Sequence, residues 1–66
     1  MSPDQMFNAW SNAAATALAD FTPPSPTDHK ANTIAACDHV LAKPPGDGPL
    51  ERAKELSTEM KRMLGA

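Results

Sequence analysis

Tyrosine is absent from this chain, cysteine occurs once, and glycine only three times. Each shortage removes a class of protein. With Cys37 alone, no internal disulfide can form, so the fold lacks the staple that small domains commonly use. Gly46-Asp47-Gly48 has neither the GxxxxGK[ST] arrangement nor a preceding strand, and reads as a turn rather than a phosphate cradle. No stretch approaches the ~18 consecutive apolar residues of a membrane span. The opening Met-Ser-Pro-Asp-Gln lacks the positive residues and apolar run of a secretory signal. These features predict a cytoplasmic chain, and a single unpaired thiol agrees with a reducing compartment. Positive charge is also short: six Lys and Arg against eight Asp and Glu leave a net −2. That balance disfavours nucleic acid as a partner, because phosphate backbones call for a basic patch.

What is present is helix punctuation. Ser2-Pro3-Asp4-Gln5 has the serine and glutamine spacing of a capping box, with Pro3 where its missing N–H costs nothing. Ser25-Pro26-Thr27-Asp28 repeats the layout with an acid in place of the amide. Gly48-Pro49-Leu50-Glu51 is a weaker version. Thr22 before Pro23 and Lys43 before Pro44 mark stops, and Gly65 can close the last helix. The spacing predicts an all-α chain with one domain over residues 1–66 and helices near 3–21, 26–43 and 49–64. It forms a small three-helix bundle, or a helical hairpin plus a third helix, and short connectors make neighbouring helices antiparallel. Thr22-Pro23-Pro24-Ser25-Pro26 reads as a stiff connector rather than a proline-rich ligand motif.

On a helical wheel, Phe7, Trp10, Ala14, Leu18 and Phe21 form the core stripe of the first helix, widened by Met6, Ala13 and Ala17 to roughly 140°. The rest of that helix, including Asn8, Ser11, Asn12, Ala15, Thr16 and Ala19, is nearly uncharged. An aromatic anchor among small uncharged residues is the composition of an interface core. Met6, Trp10, Ala13 and Ala17 are therefore the residues expected to contact a partner, although Trp10 filling the monomer core explains the same pattern. The middle helix carries a broken stripe of Ile34, Cys37 and Leu41, with Val40 off it and exposed unless covered. The third helix carries Ala53, Leu56, Met60 and Met63 as its core, with Glu51/Lys54, Arg52/Glu55 and Glu59/Arg62 paired on its outer side.

Chemistry is harder to find. Cys37 and His39 project about 160° apart on a helix, and His29 lies ten positions from His39, or about 15 Å along the axis, so the three cannot converge on one ion. Cys37 reads as a small buried hydrophobe. No catalytic, cofactor-binding or metal site is expected, and no enzyme activity. The expected role is a non-enzymatic module that binds a larger protein as regulator, inhibitor or adaptor, with a homodimer as one form it can take. By size and composition alone, such chains include proteins that viruses direct at host enzymes or defence systems. An alternative is a structural subunit completing a larger helical assembly. A third is helix-turn-helix DNA binding through Arg52, Lys54, Lys61 and Arg62, which the interleaved Glu51, Glu55 and Glu59 oppose.

Overall fold

The first helix begins where its capping chemistry says it should. In a computed structural model describing residues 2–46 and 48–66, the Ser2 hydroxyl accepts from the Gln5 amide at 3.2 Å, and the Gln5 side chain accepts from the Ser2 amide at 3.1 Å. This reciprocal box starts α1, Pro3–Ala14, with Pro3 in its first turn. Helix α2 is His29–Leu41 and α3 is Gly48–Met63. The all-α class and the three helices are as the sequence predicts, and no strand occurs among the described residues. Met1 and Asp47 lie outside those residues, so the Asp47 part of the predicted glycine turn is not described.

Two boundaries differ from expectation. The first helix ends at Ala14 instead of Phe21, and residues 15–20 continue as turns. There the bonding tightens, with the Ala19 amide donating to Thr16 and the Phe21 amide to Leu18. The second helix starts at His29, and Asp28 rather than Ser25 is its cap, accepting from the Ala31 amide at 3.0 Å. Ser25 caps the turn just before, its hydroxyl accepting from the amides of Thr27 and Asp28. At the far end of the chain the expectation holds. Gly65 adopts φ +78°, its amide donates to Arg62, and the Ala66 amide donates to Lys61. That pair of bonds is the Schellman closure that a left-handed glycine permits.

Helix α3 is the centre of the bundle, with α1 and α2 both packed against it. Both run counter to it. Trp10 meets Ser57 while Ala13 and Ala17 lie near Pro49 and Leu50, so α1 ascends as α3 descends. Asp38 pairs with Lys61, and Lys43 lies beside Lys54, so α2 does the same. The antiparallel relation therefore holds for each helix against α3, while the consecutive pair α1 and α2 point the same way. The connector over residues 15–28 is long enough to carry the chain back along α2.

The core is small: Trp10, Ala14, Ala36, Cys37, Val40, Ala53, Leu56 and Met60. Three of these are alanines, which permits close helix approach and gives little apolar area. Val40, expected to be exposed unless covered, is covered and fully buried in this cluster, and Leu18 and Phe21 of the connector pack against the cluster from outside. Ile34 and Leu41 are only half-buried. The buried stripe of α2 is thus Ala36, Cys37 and Val40, rotated from the predicted one. On α3 the buried set is Ala53, Leu56, Ser57 and Met60, while Met63, predicted to be core, is 48% exposed.

Candidate interaction surface

The point where all three helices meet is polar. Ser57, within the interior of α3, donates back to the Ala53 carbonyl at 2.7 Å and accepts from the Trp10 indole N–H at 2.8 Å. Cys37 lies beside the same hydroxyl. Burial pushes its thiol above the ordinary value, and the Ser57 contact only partly opposes that shift. A thiol held protonated and enclosed is a packing group rather than a nucleophile. Nothing in the sequence stripe marks Ser57 as functional; its spacing from Ala53 and Met60 was the available signal.

The four residues expected to meet a partner separate in the structure. Trp10 is 5% exposed and occupied by the monomer's own core, so it is not open to a partner. Met6, Ala13 and Ala17 are half-buried and packed against the core cluster. Ala13 and Ala17, with Thr16, Lys43, Pro49 and Leu50, line a shallow cleft of about 430 Å³ between the end of α1 and the start of α3. Among the described residues that line it, Lys43 is the titratable one.

The large apolar side chains that do face water are Phe7, 45% exposed, and Met63. Phe7 was predicted to lie in the core stripe. Its ring instead rests against Trp10 at 5.7 Å between centroids, tilted by 55°, and leaves its outer edge open. The correction has a simple cause: α1 packs closely on α3 alone, so the buried arc is narrower than a helix between two partners would need. The antiparallel register places Phe7, near the start of α1, and Met63, in the last turn of α3, at the same end of the α1–α3 seam. On the exposed face of α1, Gln5, Asn8 and Asn12 carry no charge and Asp4 is the ionised group, and the exposed Ala15 and Thr16 just beyond it are uncharged too.

Charge gathers elsewhere. On α3, Arg52 pairs with Glu55 at 3.5 Å and Arg62 pairs with Glu59, as predicted. Lys54 departs from prediction: its ammonium donates to the Lys43 carbonyl just beyond α2, rather than to Glu51. Lys61 reaches Asp38 at 2.6 Å. All four cations of the DNA-binding alternative thus have acceptors within the molecule, and α2 lies along α3 rather than presenting it to a groove. His39 bonds Asp20 at 2.8 Å and Lys43 bonds the same carboxylate at 3.1 Å. The His39 imidazole, and after it Lys43, hold the Asp20 carboxyl at about 2, below its ordinary 3.8. Cys37 faces the core and His39 faces outward; among the described residues no group of three or more His, Cys, Asp or Glu side chains could hold a metal ion. No described helix is long and apolar enough to cross a membrane. Compared with family models, curated proteins and solved structures, the chain matches none.

Proposed function

We propose that the chain is a small protein-binding module, a regulator or adaptor that works by occupying a surface of a larger protein with the Phe7 end of the α1–α3 seam. The observation that carries this reading is the exposure of Phe7 and Met63, large apolar side chains at the same end of the antiparallel α1–α3 pair. An aromatic ring and a flexible thioether are side chains of the kind found at interface centres, and the ring lies on a helix with little charge to strip of water.

The test is a change that spares the core. Phe7→Asp keeps Trp10, Ser57 and the helix ends intact, so circular dichroism and the melting temperature should stay close to those of the parent. Proteins captured from a lysate by the parent should be lost with Phe7→Asp and retained with Asn12→Ala. If Phe7→Asp retains every stoichiometric partner, the patch is not the contact. The small alanine-rich core favours a second reading, a subunit completed by a larger helical assembly. That reading predicts an isolated chain that fails to melt cooperatively.

A further inference from the structure

Residues 15–28 leave α1 and run back along α2, held to it by two separate sets of polar contacts. At one end, Asp20 accepts from Lys43 and bonds the His39 ring, while Phe21 lies against that ring at 5.3 Å between centroids. At the other, the Ser25 amide donates to the Asn32 side chain at 3.0 Å, and the Asn32 amide group donates to the Ser25 carbonyl at 2.8 Å. Five extended residues reach up to ~17 Å. Asn32 and His39 are ~10 Å apart along the helix axis, so the segment can follow α2 between the two attachments. Under it sit the half-buried Leu18 and Phe21, packed on the cluster that contains Val40.

We infer that this segment is a latched strap, opening as a unit while the helices stay folded, with Asp20 as its latch. Its attachments are weak by construction. The Asp20 side chain is 64% exposed, and exposed ion pairs are screened by salt and hold little. After one helical bond from the Leu18 amide to the Ala14 carbonyl, its backbone bonds are the three-residue turns from Ala19 to Thr16 and from Phe21 to Leu18. Segments with few buried apolar contacts and exposed hydrogen bonds open below the global unfolding free energy. Opening would lift Leu18 and Phe21 from the core cluster on which they pack. The charged groups facing His39 are Asp20 from the strap and Lys43 beyond α2. Because the Asp20 carboxyl is depressed in the folded chain, the latch's contribution is present above 3.8 and is lost as pH falls toward 2.

Amide hydrogen exchange of the full chain tests this at Leu18, Ala19 and Phe21, against the amides of Leu56 to Met60 in α3. Asp20→Ala should speed exchange of the strap amides about threefold or more, with those of α3 unchanged. Raising the salt to ~1 M should loosen the parent strap and leave the Asp20→Ala strap unaffected. Asn32→Ala, at the other attachment, should speed the same three amides. Strap and α3 amides accelerating in equal proportion, or strap exchange indifferent to both substitutions, would overturn the proposal.

Discussion

Helix α1 and helix α3 solve the problem of belonging to a very small protein in opposite ways. Helix α3 touches both of its neighbours, carries seven of the chain's charged residues from Glu51 to Arg62, and closes on a left-handed glycine. Helix α1 touches one neighbour closely, has a single ionised side chain at Asp4, and ends without glycine or proline. The comparison separates two duties. The charged helix organises the bundle, and the nearly uncharged one is anchored on it by Trp10 and Ala14, with Met6, Ala9 and Ala13 half-buried against the core.

If that division is right, the sharpest way to break it is to remove the attachment. Trp10→Ala should cost about 3–5 kcal/mol, most of what a core this size supplies, and thermal denaturation followed by circular dichroism should find the chain largely unfolded. A loss below about 1 kcal/mol would mean that α1 is held by something other than Trp10. Ser57→Ala tests the same junction from the α3 side. It leaves the indole N–H buried without an acceptor and should cost about 1–3 kcal/mol, measured by urea titration, with little change in helix content. A stability equal to the parent's would show the indole finding another acceptor. The smallest effect belongs to the far end of α3. Gly65→Ala forces a side chain into φ +78° and should cost about 1–2 kcal/mol, fraying the last turn while the Trp10 junction stays intact.

The parts of this fold that could be read beforehand are those decided by local chemistry. Ser2, Pro3 and Gln5 cap α1 within four residues of chain, and Gly65 closes α3 without help from any neighbour. What could not be read was decided by tertiary contact. Ala15, Ala17 and Ala19 are strong helix formers, and nothing in their side chains stops α1 at Ala14. The stop accompanies the packing of Leu18 and Phe21 onto the core and the binding of Asp20 to α2. The same holds for rotation about an axis. A helical wheel places Phe7 with Trp10, and only the position of α3 decides which of the two is enclosed. Ser57 escaped notice because a serine at core spacing acquires meaning only when a tryptophan on another helix points at it. Of the expected contact residues, Ala13 and Ala17 reach a surface cleft, whereas Trp10 belongs to the interior.

Trp10 also gives the molecule an optical signature. With no tyrosine in the chain, near-ultraviolet fluorescence comes essentially from one indole, enclosed at the helix junction and bound to Ser57. Its emission should sit toward the blue while α1 is docked and move to the red when the helix lifts away. The signal would report on that junction, so a ligand seated at Phe7, whose ring abuts the indole, should announce itself in the emission without any added label.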